Sequence, residues 1–204
     1  MAKRSIPEVN AGSMADIAFL LLIFFLVTTT IETDAGLDRK LPPLEPPDTD
    51  VIVKQKNIFT VVVNQNNQLL VEDNLMQLKD LRAAAVAFLD NGGGAGELGC
   101  SYCKGKRDPN SSDNPDKAII SLQNDRKTSY STYIAVQNEL VAAYNELRNR
   151  ESLARYGVKF TEMEAEYLNP SASDELKSEL KPKIEKIQAL YPQKLSEAEP
   201  KSNN

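Results

Sequence analysis

The longest apolar run of the chain lies near its N-terminus. From Met14 to Ile31, eighteen residues contain one charged side chain, Asp16. A helix of that length rises about 27 Å, which matches the hydrocarbon core of a bilayer. Bulky apolar residues lie on all of its faces, unlike those of a soluble amphipathic helix. The pattern therefore predicts an uncleaved transmembrane helix over 14–31. A cleaved signal peptide, disfavoured by the charge inside the run, and a buried core helix are the alternatives.

The charges that flank the run predict its orientation. Lys3 and Arg4 precede it, and acidic residues beginning with Glu32 follow it. Basic residues favour the cytoplasmic side of a membrane, although two further basic residues beyond the run reduce the asymmetry. Residues 1–13 are therefore expected in the cytoplasm, and residues 32–204 on the other side of the membrane.

After the run, the pattern predicts a spacer and then a small α+β domain with a tail. Four prolines within 32–50 exclude a helix or an inner strand and favour an extended linker. Runs of β-branched residues predict strands at 57–63, 68–71 and 117–122, with a short further strand at 158–161. Apolar residues at helical spacing predict helices at 78–88 and 133–150, and a third that begins near 174 and that Pro182 kinks or splits. The stretch 91–116, rich in Gly, Ser, Asn and Pro, is predicted to be an inserted loop.

The composition excludes several classes of function. The 204 residues include 24 basic and 29 acidic side chains, a net charge of −5, and no histidine. Without histidine the chain cannot form a Ser-His-Asp or Cys-His site or a His-ligated zinc centre. Two cysteines cannot form a four-thiolate metal site, and an acidic chain is a poor ligand for nucleic acid. We therefore expect neither an enzyme nor a cofactor, a metal or a nucleic-acid partner.

Asp16 is the candidate chemical group of the apolar run. A charge at the centre of a membrane span costs about 2.5–3.5 kcal/mol, so such residues are usually functional and face protein or water. At about 100° per residue, the face that carries Asp16 also carries Ser13, Leu20, Ile23, Val27 and Thr30. A desolvated carboxyl group retains its proton more readily than a solvated one, which suits a proton carrier. The alternative is a solvated carboxylate at the membrane surface.

These features resemble the ExbD/TolR family of inner-membrane proteins, and ExbD most of all. The resemblance rests on Pro7–Asn10, on Asp16 with the apolar run and the threonines after it, and on the pair Leu41-Pro42. It continues through the predicted strands 57–63 and 117–122 and the helical stretch 130–147. The insertion 91–116 and the tail from about 162 depart from the family pattern.

The resemblance implies a single-span subunit of a proton-driven motor in the inner membrane of Gram-negative bacteria. Two copies of such a subunit lie inside a ring of a multi-span ExbB/TolQ-like protein. The domain at 51–161 would be a small two-layer α/β sandwich in the periplasm. The helical extension over 162–204 is predicted from its own apolar spacing and is not implied by the resemblance. The resemblance further implies that this domain would form homodimers and transmit the motor's movement to a TonB- or TolA-like protein.

The resemblance also suggests roles for individual residues. Asp16 matches the aspartate that carries protons in the family, and Thr30 is the threonine best placed along the same path. Leu41, Pro42 and Pro43 of the linker become candidate contacts with a partner.

Two further motifs lie in the insertion. Cys100 and Cys103 form a CxxC pair, and in the expected periplasmic location we predict a local disulfide rather than a metal site shared across a dimer. The glycines of Gly92–Gly96 lack the Gly-Lys-Ser/Thr continuation of a phosphate-binding loop, so this stretch is predicted to be a flexible loop.

Three classes of function stay open. The first is the proton-driven energy transducer, either ExbD-like or TolR-like. The second is a flagellar-type stator subunit, which would need a peptidoglycan-binding domain after the linker. The third is a membrane-anchored binding domain in which Asp16 has no role.

Overall fold

The structure is a computed structural model that describes residues 11–28 and 53–198. The chain divides into two units, Met1–Pro43 and Leu44–Asn204. In the first unit, helix α1 extends over Ala11–Thr28, and its large apolar side chains between Met14 and Phe25 are 40% to 67% exposed.

No helix within 11–28 and 53–198 combines the length and the apolar character needed to cross a bilayer. The transmembrane helix predicted over 14–31 extends three residues beyond the described part of the chain. It stays a prediction.

The second unit folds as a sheet packed against helices. Its elements within 53–198 are β1 (Ile58–Val63), β2 (Leu69–Val71), β3 (Asn74–Met76), α2 (Leu78–Leu89), β4 (Ile119–Asn124), α3 (Tyr130–Tyr156), α4 (Phe160–Leu168), α5 (Asp174–Leu190) and β5 (Leu195–Ala198). The strand order is β3-β2-β1-β4-β5. The hairpin strands β1, β2 and β3 are antiparallel, whereas β1–β4 and β4–β5 pair in parallel through helical crossovers. The predicted α+β class is confirmed.

One face of the sheet forms the main core. Phe59, Val61 and Val63 of β1 are buried, and the residues between them are partly exposed, as expected for a strand covered on one side. Helices α2 and α3 lie against this face through apolar residues at helical spacing. These are Leu81, Ala85, Phe88 and Leu89 in α2, and Val136, Leu140, Ala143, Tyr144 and Leu147 in α3.

The other face of the sheet is partly exposed and carries no charged side chain on its three central strands. Its residues on β2, β1 and β4 are Leu70, Ile58, Thr60, Val62, Ile119, Ser121 and Gln123. Leu75 of the edge strand β3 pairs with Leu70 and is 70% exposed.

A second apolar cluster joins α4 to α5. Phe160 and Met163 of α4 are buried together with Leu180, Ile184 and Ile187 of α5. The strand predicted at 158–161 is therefore wrong, because Phe160 begins a helix whose buried residues recur three positions apart.

Several elements differ from the sequence prediction in extent. Helix α3 begins with Ser129 as its N-cap and continues to Tyr156, where Gly157 adopts the left-handed conformation (φ 71°) that ends a helix. Helix α5 has the predicted start, with Ser173 as its N-cap, but it is not split at Pro182. Pro182 has no N–H to donate to the backbone oxygen of Ser178, so this oxygen lacks its helical partner. Both residues are exposed, and water can bind the oxygen instead.

Two strands were not predicted. The turn into β3 has Glu72 and Asp73 at positive φ (49° and 62°), the geometry of a two-residue hairpin turn that usually contains Asn-Gly. Strand β5 follows α5 and forms the edge of the sheet beside β4.

Candidate functional site

Asp16 is the only charged residue of helix α1. The helix is continuous from Ala11 to Thr28, so Asp16, Leu20 and Ile23 share one face, as the spacing predicts. All three side chains are exposed within this chain. Thr30, Leu41, Pro42 and Pro43, the other residues for which the family resemblance suggests a role, lie outside the described residues.

A buried polar cluster of the second unit surrounds Asp90, the residue after α2. Arg150 of α3 binds its carboxylate with both terminal nitrogens, at 2.6 and 2.8 Å. The hydroxyl of Tyr191 donates to the same carboxylate at 2.7 Å and accepts from Arg150 at 2.8 Å. Three residues separated by 41 to 101 positions therefore meet at one point.

The electrostatics of this cluster favour the ionised carboxylate. Burial raises the pKa of Asp90, but the hydrogen bonds from Arg150 and Tyr191 outweigh it, and the pKa lies below its usual value. The hydrogen bond to Asp90 in turn raises the pKa of Arg150. Burial raises the pKa of Tyr191, as does its bond to the carboxylate. All three groups therefore keep their ordinary charges at neutral pH, as expected of a structural cluster rather than an acid–base site.

Arg148 adds a buried cation next to this cluster. Its Nε and Nη2 donate to the backbone oxygen of Tyr191 at 3.0 and 2.8 Å. The guanidinium lies 5.2 Å from the ring centroid of Phe160 and 5.8 Å from that of Tyr144. Cation–π contacts of this kind compensate part of the cost of burying the charge. Burial lowers the pKa of Arg148.

A second buried carboxylate, Asp113, connects the insertion to the start of the domain. Asn57 donates to it at 3.1 Å through its side-chain amide and accepts from its backbone N–H at 2.8 Å. The ammonium of Lys56 lies 2.5 Å from one carboxylate oxygen, and that of Lys54 lies 3.7 Å from the other. The insertion is therefore tied to the residues through which the linker enters the domain.

These two carboxylates predict a loss of stability in acid. Burial raises the pKa of Asp113, but the bonds from Lys56 and Asn57 outweigh it and hold the pKa below its usual value, as Arg150 and Tyr191 do for Asp90. A carboxyl group with a lowered pKa in the folded state stabilises the fold above its unfolded pKa of about 4, and this contribution is lost as the pH falls through the folded value.

We therefore expect the unfolding midpoint in urea to fall between about pH 5 and pH 3, and to fall less in Asp113→Asn. The unfolding midpoint is measured by circular dichroism of the full chain in detergent at several pH values. An identical pH profile for Asp113→Asn and the natural chain would contradict the role given to this carboxylate.

The glycine-rich start of the insertion packs closely. The N–H groups of Gly93 and Gly94 donate to the backbone oxygens of Ser112 and Asp113, each at 2.9 Å. A Cβ atom on Gly93 would lie 2.1 Å from the backbone oxygen of Asp108. The stretch predicted to be a flexible loop is instead held by the backbone hydrogen bonds of Gly93 and Gly94.

Cys100 and Cys103 form a disulfide in this insertion. Both residues are buried. Within the described residues there is no cluster of Cys, Asp or Glu that could hold a metal ion.

An open groove lies between α2 and α3. Arg82 and Glu139 form an ion pair across it at 2.8 Å, and Lys79, Glu146 and Gly105 also line it. Neither Cys100 nor Cys103, the predicted site residues that the structure describes in this unit, lines the groove.

The buried clusters around Asp90 and Asp113 were missed by sequence reasoning. Each joins residues more than fifty positions apart, and none belongs to a local motif. One signal in the sequence could have drawn attention to Arg148 and Arg150. Both lie in the helix that contains the apolar stripe ending at Leu147.

Comparison with known families identifies the class of this protein. The chain matches the family of biopolymer transport proteins ExbD/TolR over residues 2–150. The match covers most of the chain, including α1, the linker and the domain as far as Arg150, six residues before the end of α3. The protein belongs to the ExbD/TolR family, as its sequence features predict. No curated protein matches the chain significantly.

Proposed function

We propose that this chain is the single-span subunit of a motor driven by the proton-motive force, in which Asp16 is the residue that takes up and releases the proton. Family membership supports a role in biopolymer transport. The single observation that carries the proposal is the one carboxylate in an otherwise uncharged apolar helix. It is a binding and coupling subunit and not an enzyme.

The proposed topology follows the pattern of charge and hydropathy. An apolar helix over 14–31 anchors the chain in the inner membrane with residues 1–13 in the cytoplasm. The linker 32–50 and the domain with its C-terminal extension lie in the periplasm. The apolar side chains of α1, which are exposed in the isolated chain, then face lipid or a partner protein.

The proposed partners differ in the surface that they contact. An ExbB-like multi-span ring surrounds α1 and shields Asp16 from lipid, which reduces the cost of the charge. A second copy of the chain associates through the uncharged open face of the sheet, because interface cores are depleted of charged residues. A TonB-like protein receives the movement of the periplasmic domain, and Leu41, Pro42 and Pro43 of the linker contact a partner. Thr30 lies on the proton path together with Asp16.

Deletion of the gene in its natural host tests the proposal. We expect the deletion strain to lose uptake of substrates that need an outer-membrane receptor and an energised inner membrane. The natural chain supplied in trans should restore uptake, and a proton uncoupler should abolish it again. Membrane levels of the protein are checked by immunoblot.

The deletion strain also distinguishes an ExbD-like subunit from a TolR-like subunit and from a membrane-anchored binding domain. Normal uptake combined with leakage of periplasmic proteins and sensitivity to detergent would place the chain with the TolR-like members, which maintain the cell envelope. Normal uptake with an intact envelope would reject the motor proposal in favour of a membrane-anchored binding domain.

A further inference from the structure

The disulfide in the insertion encloses one large aromatic residue, Tyr102. Its ring packs edge-on against the ring of Tyr191, with the centroids 5.5 Å apart and the planes at 81°. Its hydroxyl donates to the backbone oxygen of Leu190 at 2.7 Å. Tyr102 lies two residues after one half-cystine and directly before the other, so the Cys100–Cys103 bond restricts the backbone that carries it.

The residues that Tyr102 contacts lead directly into the last strand. Leu190 ends α5, and Tyr191 is the first residue of the segment before β5. Beyond them, the N–H of Ile120 in β4 donates to the backbone oxygen of Lys194 at 2.9 Å, and the ladder continues from Leu195 to Ala198. Tyr102 therefore contacts the residues at which this terminal segment begins.

We propose that the Cys100–Cys103 disulfide is a redox-sensitive latch for the terminal segment 190–198. With the bond formed, Tyr102 is held against Leu190 and Tyr191, and β5 stays paired with β4. When the bond is broken, the four-residue loop relaxes, Tyr102 leaves this contact more often, and β5 separates from β4 more often. The inference goes beyond the motor function and does not depend on proton coupling.

The redox step needs a dithiol reductant, either a small molecule or a dithiol protein. The Sγ–Sγ bond of Cys100 and Cys103 breaks, and each sulfur becomes a thiol by gaining one electron and one proton. The reductant supplies both electrons and both protons and becomes a disulfide. Because both cysteines are buried, with 4% and 5% of their surface exposed, the reductant reaches the bond only when the loop opens.

The effect should be local because other contacts keep the fold intact. A disulfide that closes a short loop constrains the unfolded chain less than one that closes a long loop. Tyr191 should stay in place after reduction, because its bonds with Arg148, Arg150 and Asp90 do not involve the insertion's cysteines. What changes is the freedom of β5, whose separation leaves backbone groups of β4 unpaired at the edge of the sheet.

Amide hydrogen exchange of the full chain in detergent micelles tests the latch. We compare the oxidised chain, the chain treated with dithiothreitol, and Cys100→Ser/Cys103→Ser. In the reduced chain and in the double serine variant, the amides of β5 and those of β4 that pair with it should exchange about five- to tenfold faster, because about one hydrogen bond is lost. The amides of β1 and β2 should be unchanged.

Two variants of the tyrosine separate its ring from its hydroxyl. Tyr102→Ala in the oxidised chain should reproduce the exchange of the reduced chain, and Tyr102→Phe should give a smaller increase.

Dithiothreitol should have no effect on the double serine variant. Unchanged exchange at β5 after complete reduction, verified by alkylation of the thiols, would overturn the proposal. So would an equal acceleration in β1, β2 and β5.

Discussion

Asp16→Asn should abolish proton-driven uptake while the chain remains in the membrane at normal abundance. Asparagine keeps the size and polarity of the side chain, but it cannot bind and release a proton. Asp16 is the only charged residue between Ala11 and Thr28, so no other group of α1 can take over this role. Uptake of a receptor-bound substrate and an immunoblot of the membrane fraction measure the two effects.

Two matched variants test whether the position of the carboxylate matters. Asp16→Glu keeps the charge but moves the carboxyl group outward by one methylene, and we expect partial or no uptake because proton transfer depends on placement. Leu22→Asn places a polar amide on a different face of the helix and should reduce insertion or packing rather than titration. Uptake at the natural level by Asp16→Asn would exclude Asp16 as the proton carrier and leave an anchored binding domain.

Local patterns were sufficient to predict most elements of the domain. The β-branched run at β1 and the apolar spacing in α2 and α3 each identify the element and the face that it buries. The limits of these elements depend on caps. Helix α3 ends at Tyr156, six residues beyond the predicted end near 150, where Gly157 caps it. The first two of these added residues, Glu151 and Ser152, are polar but buried, so the apolar stripe does not reveal them.

The strands that were missed depend on information outside their own residues. Strand β3 is three residues long and follows a Glu72-Asp73 turn that lacks the usual glycine. Strand β5, with the residues Leu-Ser-Glu-Ala, has weak strand propensity and is a strand because β4 offers it a free edge. Tertiary pairing and not local propensity decides both.

The residues of the candidate site also differ in whether the sequence alone reveals them. Asp16 is evident from the sequence because a single charge stands out against an apolar run. The buried clusters around Asp90 and Asp113 are not, because a charged residue far along the chain gives no sign of its partner. The Asp113 cluster joins the inserted loop to the start of the domain. The Asp90 cluster reaches Tyr191, which lies beyond the residues that match the family.

The tail therefore belongs to the packing of this domain. Tyr191 is fully buried, is part of the main core, and has its hydroxyl between Asp90 and Arg150. Its backbone oxygen is the acceptor for Arg148. These contacts connect α2, α3 and the segment that leads into β5, so the loss of this one side chain should weaken all three connections together.

Tyr191→Ala should accordingly lower the free energy of unfolding by about 3–5 kcal/mol, the usual cost of truncating a large buried aromatic residue to alanine. Tyr191→Phe is the matched control. It keeps the ring against Tyr102 and removes only the hydroxyl, so it should cost about 1–2 kcal/mol because Asp90 and Arg150 still bind each other. Since the chain contains no tryptophan, urea unfolding of the full chain in detergent is followed by far-ultraviolet circular dichroism. A loss below about 1 kcal/mol for Tyr191→Ala would contradict the role given to this side chain in the core of the domain.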